Sequence, residues 1–370
     1  MNVLHYVNES SLSWAAPFLQ LLKALEDKGV KNTVLCAPGG TLSEAVGKLG
    51  VHCVTEKPFF PWNPAFCIQT GKRISAINPD IIVTRLSSAA LIGGFWGKRF
   101  HIPVIGVLDK FAKPKYYRNV SCVQAVSEAL ADYARNTGMP DVVSIPNGID
   151  THFYRPGHPN EARISQREQW RIEKDEKIVL AAGRFVDWKG FDILINSFAD
   201  VLQSLAAAGK KLSVRLFLAG DGEEKDALQK IVKDRGIENH VVFPGFVRDI
   251  RPFLQMSDLF VLPSKEPEPF GLTLLEAMAS GVPSIATQCG GPKDMIEHGR
   301  SGWLVPCNDS KSLAKTLEEA IISEDLDSWG TEAMVASKRF HVEAIAEKMI
   351  CNFQRILENS SAGKGKPQEL

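Results

Sequence analysis

Residues 263–281 read PSKEPEPFGLTLLEAMASG. The stretch starts where the apolar run Leu259-Phe260-Val261-Leu262 ends, passes through a loop rich in Pro and Glu, and enters a helix near Leu272. Gly281 closes that helix and Pro283 blocks its continuation. A second β-like run, Pro283 to Thr287, follows. Strand, loop, helix and strand in this order make a parallel βαβ unit. Its loop lies at the carboxyl end of the sheet, where open α/β folds take ligands. Glu268 sits in the loop and Glu276 about one turn into the helix, with seven residues between them, so both can face one crevice. The backbone N–H groups around Phe270, Gly271 and Leu272 are unpaired at the helix start and suit an anion or sugar hydroxyls. Gly271 would let a ligand approach the backbone closely.

The same alternation runs outward in both directions. Upstream, strands are expected at 2–7, 33–37, 80–84, 103–107, 122–126 and 142–145, with helices to about Lys28, from Ser43, and over 65–77, 87–100 and 127–136. Ser127 is placed to cap the last of these, and Gly138 follows its end. A loose Pro- and Gly-rich segment at 156–159 reads as a domain boundary. Beyond it, strands at 177–182, 214–219 and 241–243 alternate with helices at 192–205, 224–235 and 250–256, and helices are expected at 310–322 and 342–357. Strands alternating with helices of this length make two Rossmann-like, doubly wound domains. The expected division is 1–158, 159–340, a last helix at 341–358, and a disordered tail at 359–370.

Composition bounds the partners. Hydrophobic residues make up 44% and charged residues 23% of 370, enough for two cores in a globular chain. Net charge is zero, which argues against nucleic acid. Residues 1–150 are mildly basic, with 15 Lys/Arg against 11 Asp/Glu. The seven cysteines are scattered, with no C-x-x-C, and read as buried thiols in a reducing compartment. The N-terminus lacks the basic and apolar regions of a signal peptide, and no apolar run approaches the roughly 20 residues that span a bilayer. A cytoplasmic protein is expected, with the inner face of the membrane as a second possibility.

Several further stretches can carry chemistry. Gly183 to Gly190, GRFVDWKG, follows a buried strand and precedes a helix, which puts Arg184 and Lys189 at the carboxyl end of the sheet. Two cations beside glycines suit a diphosphate, Arg as a planar fork and Lys as a point charge; the alternative is two solvated charges. Gly220-Asp221-Gly222 permits close approach of a nucleotide or is a simple turn, and Gly290-Gly291, with Asp294 beyond, is open to the same two readings. The loop NESSLS at 8–13 offers Ser10, Ser11 and helix-start N–H groups to a phosphate. Asp109, followed by Lys110, leaves a strand and could orient or deprotonate an acceptor hydroxyl, or simply form a cap or salt bridge. Residues 95–118 mix six Lys/Arg with aromatics, and the aromatic run at 58–62 belongs with them. That mixture suits an anionic acceptor or an anionic membrane surface, or is a solvated rim with ordinary core aromatics. No metal-binding cluster, no P-loop and no G-x-S-x-G elbow is present. Asp325-Leu326-Asp327 reads as solvated charge.

Taken in order, GRFVDWKG at 183–190, AGDG at 219–222, FPGFV at 243–247, EPFGLTLLEAMASGVPSIAT at 268–287 and GGPKDMIEHGRSGWLVP at 290–306 resemble the retaining GT-B glycosyltransferases of family 4. QAVSEALADY at 124–133 and IPNGID at 145–150 match as well. The resemblance implies two domains facing a central cleft and transfer of a sugar from a nucleoside diphosphate to an acceptor hydroxyl, with the anomeric configuration kept. Arg184 and Lys189 would hold the diphosphate, Glu276 the ribose, and Glu268 would lie by the donor sugar. Phe270, Gly271 and Leu272 would read its hydroxyls, with Gly220 nearby. No cofactor and no divalent metal would be needed. The last helix would cross back to the first domain. The acceptor would be a glycan or glycolipid of lipopolysaccharide-core or other cell-surface glycan synthesis. Two features depart from the pattern: the first loop lacks a Gly-Gly pair, and Asp109 stands near the place of a histidine whose role it would take over. The alternatives are an epimerase or phosphorylase on the same architecture, or a non-catalytic nucleotide-sugar-binding protein.

Overall fold

Seven strands in the first half pair in parallel: β1 (Asn2–Val7), β2 (Lys31–Cys36), β3 (His52–Thr55), β4 (Ile81–Arg85), β5 (Val104–Leu108), β6 (Cys122–Ala125) and β7 (Val142–Ser144). Their order is β3-β2-β1-β4-β5-β6-β7. Six more, β8 (Lys177–Ala182), β9 (Val214–Ala219), β10 (Val241–Gly245), β11 (Leu259–Leu262), β12 (Ser284–Thr287) and β13 (Trp303–Val305), pair in parallel in the order β10-β9-β8-β11-β12-β13. This computed structural model describes residues 1–11, 15–155, 159–210 and 212–362. The chain forms two compact units. Unit 1 is Met1–Asp150 together with the segment from Phe340 onward, and unit 2 is Thr151–Arg339.

Every residue of β4, β5, β6, β11 and β12 is buried. Helices cover both faces of such parallel strands, which is why the sequence shows near-continuous apolar runs there rather than alternation. In each sheet the strand order reverses beside the first strand, between β1 and β4 in unit 1 and between β8 and β11 in unit 2. Those reversals are the switch points at which a doubly wound sheet opens a crevice. Ser127 caps the helix Glu128–Asn136, its Oγ accepting from Leu130 N at 3.3 Å.

Among the elements not expected from the sequence are two strands and two longer helices. Strand β3 is an edge strand whose residues are exposed or half-buried, so it lacks an apolar signature. Strand β13 is three residues long. The helix Pro159–Gln169 is strongly polar and is held by side chains: Arg163 donates to Ser257 O at 3.0 Å and Arg167 to Met256 O at 3.2 Å. The helix Leu326–Ser337 is anchored by Trp329 stacked on Trp303, centroids 3.9 Å apart. Asp325 and Asp327, at its start, are exposed.

The division between units falls at Asp150, ahead of the expected boundary at 158, because the helix Thr151–Tyr154 packs on Leu272–Ala279 of unit 2. The final helix, Val342–Ala362, packs on Ala15–Asp27 in unit 1, and Val342 N donates to Ile149 O at 2.9 Å. It extends past the expected end at 358, and residues 363–370 of the expected tail lie outside the described residues. The reading of all seven cysteines as free thiols is corrected: Cys289 and Cys307 form a disulfide, with Cα atoms 6.6 Å apart. The strand register accounts for the pairing. Thr287 of β12 faces Val305 of β13, so the residues two positions beyond each strand emerge side by side.

Candidate active site

The switch point of unit 2 lies at the carboxyl ends of β8 and β11, and the loops leaving those strands carry Gly183–Gly190 and Pro263–Gly271. The two loops are fastened together. Lys265 N donates to Trp188 O at 2.8 Å, and Lys265 Nζ reaches Asp187 and Asp192 at 2.7 and 3.0 Å. A third loop, leaving β12, supports them: Glu268 N donates to Cys289 O at 3.1 Å and Gly291 N to Glu268 O at 2.8 Å. Gly290 and Gly291 press backbone to backbone on this segment. A Cβ at Gly290 would stand 2.1 Å from Glu268 O, and one at Gly291 2.2 Å from Phe270 O. That close approach accounts for the Gly-Gly pair as the seat of the glutamate loop.

Glu268 is buried and doubly held. Lys189 Nζ donates to its Oε2 at 2.5 Å, and Ser264 Oγ donates to the same oxygen at 3.1 Å. The Lys189 ammonium also lies 4.4 Å from the Trp188 ring centroid. The Arg184 side chain is exposed and its guanidinium has no hydrogen-bond or ion-pair partner among the described residues. The helix Leu272–Ala279 starts at Gly271, whose φ of 102° and ψ of 56° are left-handed and favour glycine. Among the described residues no acceptor takes the N–H of Gly271, Leu272 or Thr273. This corner therefore offers one unpaired guanidinium, one ammonium shared with a buried carboxylate, and a helix start with open donors. Such a set can hold an anionic group and polar hydroxyls.

Glu276 lies in the same helix. Tyr154 Oη donates to its Oε1 at 2.8 Å. Burial pushes the carboxyl up to about 7; the Tyr154 hydrogen bond opposes that rise and Asp249 adds to it. Tyr154 is itself held, since Ser280 Oγ donates to its carbonyl at 3.2 Å. Sequence reasoning missed Tyr154 and Ser264. Tyr154 is 122 residues from its partner, in a segment read as the approach to a linker, and no local pattern marks it. Ser264 had a weak signal, lying in the quoted stretch four residues before Glu268.

Gly220 has a structural explanation in this state. Its N–H donates to Gly245 O at 2.9 Å, and a Cβ there would stand 1.9 Å from Gly183 O. The large concavity of unit 2, about 970 Å³, is formed elsewhere, by the amino-terminal ends of the strands around Lys177, Asp258 and Pro283. Arg163 pairs with Asp258 there at 2.7 Å, which reads as structure rather than chemistry.

In unit 1, Asp109 follows β5 and pairs with Arg85 at 3.1 Å. Its Oδ2 is buried without a hydrogen-bond partner. Burial raises its carboxyl above the usual range, and Arg85 and Lys110 pull the other way. Lys110 is exposed. Ser10 is half-buried and its carbonyl accepts from Leu42 N at 3.0 Å, while Ser11 is exposed. The helix-start N–H groups expected beyond them fall at 12–14, outside the described residues. The basic aromatic rim expected at 95–118 is only partly a surface: Trp96 stacks on Phe100 at 5.5 Å and Tyr117 is buried. Among the described residues no group of three His, Cys, Asp or Glu could hold a metal ion, and no helix is long and apolar enough to cross a membrane.

Residues 162–333 match the family model for glycosyl transferases group 1, and residues 18–153 match that for glycosyltransferase family 4. The chain belongs to this family, and it is a glycosyltransferase with the GT-B fold. It is 26% identical over 343 residues to the lipopolysaccharide core biosynthesis glycosyltransferase LpsE of Rhizobium meliloti, covering 89% of this chain and 92% of that protein. It is also 26% identical to LpsD of the same organism, over 91% of this chain and 94% of that one. The crystal structure of Anabaena HepE in complex with UDP and glucose superposes with a TM-score of 0.81 at 23% identity, covering 96% of this chain and all of that one.

The Lys189–Glu268 pair gives a first test. Lys189→Ala leaves a buried carboxylate with a hydroxyl as its remaining side-chain partner, which costs about 3 kcal/mol in urea unfolding. Adding Glu268→Gln recovers most of that loss, because no charge is then stranded. A double variant as unstable as the single one would contradict the pairing.

Proposed function

We propose that this glycosyltransferase moves a sugar from a nucleoside-diphosphate sugar to an acceptor hydroxyl with retention of the anomeric configuration, and does so without a divalent metal. The observation that carries the reading is the corner at the unit 2 switch point, where Arg184 is unpartnered, Lys189 is shared with Glu268, and the N–H groups of Gly271 to Thr273 are open. The UDP and glucose in the HepE complex and the names of LpsE and LpsD support it.

In this reading Arg184 and Lys189 hold the diphosphate, and Glu276, steadied by Tyr154, takes the ribose hydroxyls. Glu268 and the backbone of Phe270 to Leu272 hold the donor sugar. The bond from the anomeric carbon to the diphosphate oxygen breaks, and its electron pair leaves on the diphosphate. The two cations stabilise the charge that grows there. The acceptor oxygen bonds the same face of the anomeric carbon, and its proton passes to the departing diphosphate. The acceptor class is a lipopolysaccharide-core or other cell-surface glycan precursor, in line with LpsE and LpsD.

The test is transfer from UDP-, GDP- and ADP-sugars to core oligosaccharide and lipid-linked acceptors in the presence of chelator, with the anomeric proton followed by NMR. One donor class should give a product of the donor's own configuration. Inversion would overturn the stereochemical reading. Donor turnover without any acceptor would point to an epimerase, and binding without transfer to any acceptor would point to a non-catalytic binder.

A further inference from the structure

Unit 1 carries a cluster of exposed apolar side chains in one loop. Between β3 and the helix Ile68–Ile77, Phe59 is 70% exposed, Phe60 62%, Trp62 60% and Phe66 58%, and Ile68 at the helix start is 53% exposed. We propose that this loop is a docking surface for an anionic lipid bilayer.

The loop is folded in advance to show these rings. Phe59 packs edge-on to Phe60 at 4.8 Å, Phe60 lies 6.3 Å from Phe66, and Trp62 lies 5.1 Å from Tyr116 of the loop after β5. Inside the loop, the buried Cys67 thiol lies within 3.2 Å of Phe59 O, 3.6 Å of Phe60 O and 3.7 Å of Asn63 O. Burial and nearby Glu56 push that thiol up to about 11, so it stays a proton donor. Asn63 N donates to Phe60 O at 2.9 Å, and Phe60 is held at φ 54°, a left-handed value uncommon for a side-chain-bearing residue. A soluble surface gains nothing by holding five apolar side chains outward in a tightened turn, whereas insertion into an interface does.

Charge selects the occupant. Residues 57–76 contain Lys57, Lys72 and Arg73 and no Asp or Glu; residues 110–118 contain Lys110, Lys113, Lys115 and Arg118 and again no acid. All seven cations are exposed. Lys115 lies over the Tyr116 ring at 5.1 Å, and Lys72 borders a shallow groove of about 410 Å³ beside Ile68, Trp96 and Phe100. Aromatic rings framed by cations, with no acid in either segment, match the headgroup zone of an anionic membrane rather than a protein partner of mixed charge. This surface takes in the aromatic run at 58–62 and the 110–118 part of the rim expected from the sequence, whereas Trp96 and Phe100 of that rim stack on each other. The proposal does not depend on the donor assignment.

The test is flotation of the full chain with phosphatidylcholine vesicles and with vesicles that also contain phosphatidylglycerol. The wild type should float with the second and far less with the first, and added salt should weaken it. The exposed-ring variant F59S/W62S/F66S should keep its melting temperature and lose at least about tenfold in bound fraction. K72E/K113E/K115E should lose about fivefold or more per removed cation. Quenching by brominated lipid gives a readout that needs no destabilising change: it should fall in Trp62→Phe while flotation persists. No flotation of the wild type, or equal flotation of the ring variant, overturns the proposal. So does a wild-type dimer that the ring variant merely dissociates, which would make the loop a self-association surface.

Discussion

Arg184→Ala binds a nucleoside diphosphate about 10- to 100-fold more weakly than the wild type and lowers kcat by a further factor of about a hundred, yet melts at the wild-type temperature. The asymmetry follows from the position of the side chain. The Arg184 guanidinium is exposed and has no partner among the described residues, so its removal leaves no group stranded, and such substitutions change stability by about 0.5 kcal/mol or less. Its loss is felt only when an anion arrives. A guanidinium–phosphate bond is worth about 1.5–3 kcal/mol in binding, and more where charge grows on the leaving group. Steady-state kinetics with a thermal melt separates the two effects. A variant that loses stability but keeps its affinity for nucleotide would assign Arg184 to the fold instead.

Glu276→Gln separates site from scaffold in the opposite sense. The carboxyl is pushed up from 4.5 to about 7, chiefly by burial. A raised acid favours its neutral form in the folded protein, so its ionisation weakens the fold. The penalty is absent below about pH 4.5, grows as pH rises toward 7 and is constant above that. Glutamine cannot ionise and keeps an oxygen for the Tyr154 hydroxyl. The variant should therefore be more stable than the wild type at pH 8, by up to about 3 kcal/mol, and equal to it near pH 4.5. It should also bind nucleotide about tenfold or more weakly, because a carboxylate accepts two ribose hydroxyls and an amide does not. By the same argument, wild-type affinity for nucleotide rises with pH through about 7 and then levels off, and the variant shows no such rise. Unchanged affinity at every pH would remove Glu276 from the donor site.

The sequence carried the parts of this molecule that repeat a strong physical signal. Buried strands such as β4, β5 and β11 are continuous apolar runs, and a loop between such a strand and a capped helix is legible from its Pro and Gly alone. That is how Arg184, Lys189, Glu268 and Glu276 were placed on one edge of one sheet. What was lost lacks a local pattern. The edge strand β3 is half-exposed, the helix Pro159–Gln169 is polar, and Leu326–Ser337 gains its place from a Trp–Trp stack. The Tyr154–Glu276 bond and the Cys289–Cys307 disulfide are consequences of packing and register, which a single chain does not display before it folds. The Gly-Gly pair at 290–291 was legible as a feature but not as a cause, because its reason is the backbone of Glu268 to Phe270 lying against it.

The most direct test of the central claim is calorimetric titration of the full chain with UDP-, GDP- and ADP-sugars in the presence of chelator, with Arg184→Ala and Glu276→Gln alongside. The geometry predicts that one nucleotide class binds the wild type without metal and that both variants lose at least about tenfold in affinity. If none of the three classes binds, or if binding survives both substitutions, the corner formed by the loops after β8 and β11 is not the donor site.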